Sequence, residues 1–454
     1  MPKGFDLMIK GGQVIDGTGN TGIKNDIGIS DGKIIRVGYI TENTGETIDA
    51  EGMIVSPGFV DLHTHTDLSI LAYPDAESSL MQGVTTAVTG NCGLSLAPIN
   101  PKNMALLRRY LSSHLKAGFD YGWEWKTLAE YYEKVERHGI SLNLAPLVGQ
   151  GTVRLAVKGF DSNAASKEEI NQMKALVRQS LNEGAFGMST GLIYPPGTYS
   201  STEEIIEVAS VLRKYGAVYT THMRNEENKL VDSVDETIRI GEENGIAVEV
   251  SHHKAKGKAN WGRVNDTLRL MEQARQRGVA VNCDMYPYIA GSTTITSVLP
   301  TWVLEGGIEK MLARLKDEKI RKSIEREIAE DTMVGSNGIR NAGWQGIFIS
   351  RCLLKKECEG KSLKEVLKEA NKFDNPYDGF FDWLLEIEGN AAIILFYLDE
   401  ADVKTVLSSP LSSVISDSSG IAPSAGGKPH PRTYGTFPRV LGEYVREKKL
   451  LTLE

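Results

Sequence analysis

Four histidines, one cysteine and one aspartate stand out because each follows an apolar run rich in β-branched residues. His63 and His65 close "GFVDLHTHTD", Cys92 closes "GVTTAVTGNCG", and His222 ends "AVYTTH". His252 lies in "IAVEVSHHKA" and Asp417 in "LSSVISDSSG". The chain has eight histidines and four cysteines, so half of its histidines fall at such points. Each alone has an ordinary explanation, such as a hydrogen-bonded histidine or a small buried thiol. Together they form a donor set, because imidazole nitrogen and thiolate suit zinc. A catalytic zinc takes three protein ligands and keeps one open position, and Cys92, His222 and His252 would provide such a site. Binding would also deprotonate the thiol. His63 and His65, two apart, share one face of an extended chain and admit two readings: a second, weaker metal sharing Cys92, or shaping and polarising the site without metal. Zinc makes water acidic enough to attack near neutral pH. Asp417 would take the proton of that water and pass it to a leaving nitrogen. The chemistry is metal-assisted hydrolysis of an amide-like bond. His253, directly after His252, should face away from this group. His114 and His138 fall in helical or loop windows and read as ordinary structural residues.

Such residues need a scaffold that brings strand ends together. From residue 59 to about 290, short apolar runs alternate with amphipathic helical windows. In "SKEEINQMKALVRQSLNEG", Ile170, Met173, Leu176, Val177 and Leu181 fall on one helical face. "SSTEEIIEVASVLRKYG" opens with Ser201 and Glu204 spaced as a capping box and stops at Gly216. Strands alternating with helices predict a parallel sheet. Seven such units plus the strand in "LSSVISDSSG" predict a closed (β/α)₈ barrel, whose active sites lie at the C-terminal ends of the strands. Residues 1–56 read differently, as short strands between Gly, Asn and Asp turns, and predict a small β unit. The barrel would then occupy 57–454. The charged stretch "EGGIEKMLARLKDEKIRKSIEREIAED" marks an insertion after strand seven, at about 301–345, read as a solvated surface element.

"PGFVDLHTHTD" resembles the strand-one signature of the amidohydrolase superfamily. "GNCGLS", "GLIYPPG", "THMRNE", "SHHKA", "DMYPYIAGST", "SDSSG" and "PHPRTYGTFPR", in this order, resemble the N-acyl-D-amino-acid deacylase (D-aminoacylase) family. The likeness runs from about residue 5 to about 442. It implies a barrel beside a small β-sandwich, and zinc-dependent release of a D-amino acid and a carboxylate from a small N-acyl-D-amino acid. It implies Cys92, His222 and His252 as the tight zinc ligands, His63 and His65 as ligands of a weaker site, and Asp417 as the acid/base. Tyr194, Lys254, Tyr286, Ser292 and Arg432 are implied as substrate contacts. Lys254, two residues beyond His252, would share its strand face, and Arg432 falls in a loop suited to binding. Many amidohydrolases bridge two metals with a carboxylated lysine at the end of strand four. Here strand four reads "AFGMSTGLIY", without lysine, and the Cys92 thiolate would take that role. In the family the chain returns after the last barrel helix to complete the sandwich. The sequence runs to "GEYVREKKLLTLE" without a counterpart of those strands, and on these residues alone the N-terminal strands are expected to keep open edges.

Two other readings compete. One is a different amidohydrolase, a dihydropyrimidinase-like cyclic amidase or a dipeptidase; the first is disfavoured by the absent lysine. The other is a non-catalytic scaffold, which would be expected to have lost ligands or the aspartate. The remaining properties set bounds. A net charge of −8 over 454 residues gives no footprint for nucleic acid. No run approaches the apolar length of a membrane span, and "MPKGFDLMIKGG" lacks a signal-peptide core. Four scattered cysteines make no disulfide framework and fit a reducing, cytoplasmic setting. Subunit number is not legible.

Overall fold

The computed structural model describes residues 4–42 and 44–454. The chain divides into two compact units, residues 1–59 with 441–454, and residues 60–440. In the first unit the N-terminal strands make one sheet. Phe5–Val14 pairs antiparallel with Ile23–Ser30 and parallel with Thr44–Asp49 and Ile54–Val55. Lys33–Gly38 forms the outer edge. Phe5, Met8 and Ile40 make a small buried cluster, whereas Ile34, Ile35, Val37 and Ile54 are exposed.

The second unit carries the eight-stranded parallel sheet expected from the alternation of runs and helices. The barrel strands are Phe59–Asp61, Val84–Thr89, Asn143–Gly149, Gly187–Gly191, Val218–His222, Val248–Val250, Val281–Met285 and Ser412–Val414. They are called strands one to eight below. The sheet is continuous from strand one to strand eight, and its ends meet just beyond the strands. His65 N–H donates to Ser418 O at 2.8 Å, Asp417 N–H donates to His63 O at 2.9 Å, and Thr64 bridges Ser418. The first and last strands are thus joined at the residues that could do chemistry.

The intervening helices bury the faces that their periodicity marks. Lys167–Asn182 starts at Ser166, which caps Glu169 N–H in a reciprocal box, and buries Met173, Val177 and Leu181. The next helix, Thr202–Ala209, differs from the expected box. Ser201 accepts from Glu204 N–H, but the Glu204 carboxylate turns inward to Arg154 (3.1 Å) and Ser200 Oγ (2.7 Å). Arg154 is fully buried, and an unpaired guanidinium there would cost more than a cap contributes. The helix gives way to a short 3₁₀ turn, Leu212–Tyr215, before Gly216 ends it in left-handed backbone.

Between strands seven and eight the insertion is larger in kind than a charged helical stretch. The helices Ile308–Arg314 and Glu318–Glu330 are present. They accompany a three-stranded antiparallel sheet of Ala290–Thr294, Ala392–Phe396 and Ile347–Arg351. That sheet is made of non-local segments, so a reading of consecutive periodicity misses it. No helix among the described residues is long and apolar enough to cross a membrane.

Two strand glycines make room for the turn after strand two. A Cβ on Gly191 would lie 2.1 Å from Cys92 O, and one on Gly149 would lie 2.5 Å from Gly93 C and O. Both obstacles are backbone, which cannot rotate away. Gly191→Ala should therefore displace Cys92 and lower stability by about 1–3 kcal/mol, the usual cost of overpacking. Calorimetry and zinc analysis of the purified variant check this; an unchanged melting temperature with full metal content would show that the turn accommodates a methyl group.

Candidate metal centre

The turn "GNCG" sets the position of the thiol. Gly90 and Gly93 have φ of 75° and 73°, and Cys92 itself has φ of 53°. A non-glycine residue in this region is strained. His252 (φ 37°) and Asp417 (φ 47°) share the feature. Three of the six residues singled out from the sequence are thus held in left-handed backbone just past their strands, a pattern associated with functional sites.

Cys92 Sγ lies 3.3 Å from His63 Nε2, 3.6 Å from His252 Nε2 and 3.7 Å from His222 Nδ1. All four residues are buried. Cys92, His222 and His252 have ligand atoms within 4.8 Å of one another; so do His63, His65 and Cys92, and so do His63, His252 and Asp417. A zinc–sulfur bond of about 2.3 Å and a zinc–nitrogen bond of about 2.0–2.1 Å at a tetrahedral angle span roughly 3.5 Å between donors. The observed sulfur–nitrogen separations match that span, so the donor set fits a zinc ion.

His63 and His65 do not meet through strand alternation, because strand one stops at Asp61. They lie in the closing segment, with ring centroids 5.7 Å apart, and both face Asp417: Nε2 of His65 is 3.4 Å and Nε2 of His63 is 3.6 Å from Oδ1. Arg432 Nη1 lies 2.8 Å from the other oxygen, Oδ2. Burial alone would raise the Asp417 carboxyl, but the Arg432 charge and the His65 contact hold it well below the usual range. His65 shows the converse: burial would lower it, but its contacts with Asp417 and Cys92 bring it up to about 9.

Behind the imidazoles lies a carboxylate to which the sequence reading gives no role, although it closes the quoted run "THMRNE". Glu226 is buried at 1% exposure. Its Oε1 is 3.1 Å from His252 Nδ1, and its Oε2 is 3.3 Å from His222 Nε2. These are the ring nitrogens turned away from the thiol. Lys254 Nζ (2.5 Å) and Lys256 Nζ (2.6 Å) close on the same carboxylate. Burial would raise Glu226, but the two lysines outweigh it and keep it ionised. Lys254 is not on the His252 strand face, since strand six ends at Val250; it folds back to Glu226 and to His252 O at 2.6 Å. On the opposite side, Asp284 Oδ1 accepts from His252 N–H, and Oδ2 lies 3.5 Å from His63 Nδ1. The Lys254 ammonium also faces His252 Nδ1, at 2.6 Å, so Glu226 acts on the imidazoles chiefly through its negative charge, which favours their binding of a cation.

The remaining candidates line one pocket above this cluster. Arg432 Cζ stands 4.6 Å from the Tyr286 ring centroid, and Lys254 Nζ stands 5.8 Å from it. Tyr194 packs edge-on to His222 at 5.1 Å and bonds Thr293 Oγ1 at 2.9 Å, next to Ser292. His253 lies outside the pocket; its Nε2 bonds Thr267 Oγ1 at 2.8 Å on the helix Val264–Gln276. His138 is exposed. His114 departs from its ordinary reading, because it lines the pocket with its ring 6.1 Å from that of His65. His430 has a positioning role: Nε2 donates to Ala290 O (3.0 Å) and Nδ1 accepts from Arg432 N–H (3.0 Å), so it orients Arg432, which opens the helix Arg432–Arg439 rather than lying in the expected loop. The only prior sign of it was its place in "PHPRTYG". The insertion, read as surface, contributes Ser336 and Gly338 to the wall.

Residues 46–343 match the amidohydrolase family. A D-aminoacylase of Alcaligenes xylosoxydans xylosoxydans is 36% identical over 451 residues, 99% of this chain and 81% of the relative. An N-acyl-D-aspartate deacylase of the same organism is 33% identical over 457 residues, 100% of this chain and 80% of that one. The solved structure of N-acyl-D-glutamate deacylase from Bordetella bronchiseptica, complexed with zinc and a phosphonate mimic of the tetrahedral intermediate, is 30% identical. It superposes with a TM-score of 0.80, covering 99% of this chain and 83% of that one. A closed barrel with imidazole and thiol donors at one rim defines a metal-dependent amidohydrolase. The chain belongs to that family, and within it to the N-acyl-D-amino-acid deacylases, or D-aminoacylases.

Glu226→Gln should weaken metal binding, zinc being the ion tested, by about 10- to 100-fold, the usual effect of losing a partner behind a ligand. Competition with a chromophoric chelator measures it. Because Lys254 and Lys256 would then lack an anion, Glu226→Gln/Lys256→Met serves as a charge-restored companion. Wild-type zinc affinity in both would remove Glu226 from the centre.

Proposed function

We propose that this protein hydrolyses the amide bond of N-acyl-D-amino acids, releasing a D-amino acid and a carboxylate, with zinc as its metal. The observation that carries this reading is the ionised Asp417, held by Arg432 beside a thiol surrounded by three imidazoles. Cys92, His222 and His252 would hold the zinc tightly, and His63 and His65, with Cys92, a weaker second ion. When bound, zinc supplies an acidified water and polarises the scissile carbonyl.

The chain's own residues account for the rest. Asp417 is kept deprotonated by Arg432, so it starts as a base and can take the proton of the attacking water. Once protonated, it is a neutral acid beside a cation, a state from which the proton leaves readily to the amide nitrogen. Arg432 has two roles in this reading. One guanidinium nitrogen holds Asp417, and the planar fork, lying over Tyr286, remains directed into the pocket for the substrate carboxylate. Lys254 and Tyr286 stand on the same wall. Tyr194, packed against His222, and Ser292 line the same pocket, and in this reading their contacts add to those of Arg432, Lys254 and Tyr286 to fix the α-carbon and select one configuration.

The cyclic-amidase alternative requires a lysine at the end of strand four. There Gly191 abuts the Cys92 carbonyl and leaves no room for a side chain. All four cysteines are free and buried, which supports a reducing, cytoplasmic setting.

Asp417→Asn should retain zinc and lose about 10²–10⁴-fold in kcat on N-acetyl-D-amino acids, the usual contribution of a positioned acid/base. Activity is measured alongside metal content, with the N-acetyl-L series as the stereochemical control. Equal turnover of both series would reject D-selectivity, and near wild-type kcat for the loaded variant would remove Asp417 from the mechanism.

A further inference from the structure

Five lysine and arginine side chains line the pocket, and among the described residues Asp417 is the only carboxylate on its wall. Arg432 is matched by Asp417. Lys254 and Lys256 close on Glu226, which lies beneath the wall, and Glu227 acts on Lys256 as well. In the reading above, this inner group faces the α-carboxylate of an N-acyl amino acid. Lys116 and Arg351 are the remaining two, and neither has a carboxylate partner among the described residues.

These two come from outside the barrel strands. Lys116 follows the helix Met104–Leu111, and its Nζ sits 4.5 Å from the centroid of Tyr73, another wall residue. Arg351 ends the insertion strand Ile347–Arg351, against the loop at Gly427 that follows strand eight. Tyr121 connects them: its hydroxyl accepts from Lys116 N–H at 2.9 Å, and the Arg351 charge acts on the same hydroxyl. Two cations without counter-ions on one side of a pocket repel each other and are stabilised by an anion that enters it.

We propose that Lys116 and Arg351 select N-acyl-D-amino acids bearing a second carboxylate, in addition to the α-carboxylate. This rests on the deacylase reading above and narrows its substrate class. The relatives act, by their names, on D-amino acids generally, D-aspartate or D-glutamate, so likeness alone leaves the class open. The second charge can sit on the amino-acid side chain or on the acyl arm, and the same wall chemistry would recognise either.

Isosteric pairs separate charge from shape. On the zinc-loaded enzyme, N-acetyl-D-glutamate is compared with N-acetyl-D-glutamine, and N-succinyl-D-leucine with its succinamoyl analogue. The charged member of at least one pair should have kcat/KM higher by about 10- to 100-fold, the range of a hydrogen bond to a charged group. Which pair responds identifies the arm. Lys116→Met and Arg351→Met should each shrink that ratio, and Lys116→Arg should preserve it. The preference should also fall as salt is raised, because the wall is open to solvent. Ratios near one for both pairs, with all four substrates hydrolysed, overturn the proposal and leave the deacylase reading intact. Failure to hydrolyse any of the four overturns both. A ratio that survives Lys116→Met and Arg351→Met together also overturns it, because the discrimination would then reside elsewhere.

Discussion

The contact on which the site depends is the approach of the Cys92 sulfur to three imidazole nitrogens, at 3.3–3.7 Å. These groups come from the ends of strands one, two, five and six, and nothing local in the chain brings them together. Barrel closure does, because parallel strands place their C-terminal ends at one rim. The turn after strand two then pushes the thiol inward over Gly149 and Gly191. Left-handed backbone at Cys92, His252 and Asp417 re-aims each chain end toward the centre. The strain of those conformations is sustained by the hydrogen-bonded barrel around them.

Charge is the second constraint. The floor of the pocket, around the thiol and imidazoles, is fully buried and tolerates ionised groups only when opposite charges face them. Asp417 answers Arg432, and Glu226 answers two lysines while standing behind two imidazoles. Asp284 supports His63 and the backbone of His252 from the opposite side. Orientation of the donors and neutralisation of the pocket are therefore one network. A substitution in it acts on both, which is why charge-restored companions are informative. The same bookkeeping leaves Lys116 and Arg351 over.

Glu226 and Asp284 show why such a network escapes a reading of the sequence. Each is an acidic residue among 59, and although one closes "THMRNE" and the other opens "DMYPYIAGST", nothing in those runs says what it faces. Their importance lies in what stands opposite, and that comes from other strands. His114 and Arg351 are similar cases. One follows a helix and the other ends an insertion strand, and each acquires meaning only because its segment folds over the barrel mouth.

The sequence by itself determined the barrel, since alternation of buried strands and amphipathic helices is a local pattern with one economical closure. It also determined the donor types, because a thiol and imidazoles after apolar runs are legible one run at a time. It even excluded the bridging lysine, by what strand four lacks. Tertiary structure decided everything that depends on two distant segments meeting. Arg432 is committed to Asp417, Lys254 leaves the strand face for Glu226, and Glu204 abandons its cap for Arg154. The physical reason is common to all three. Burial makes an unpaired charge costlier than a lost local preference, and which charges become buried together is a property of the folded chain.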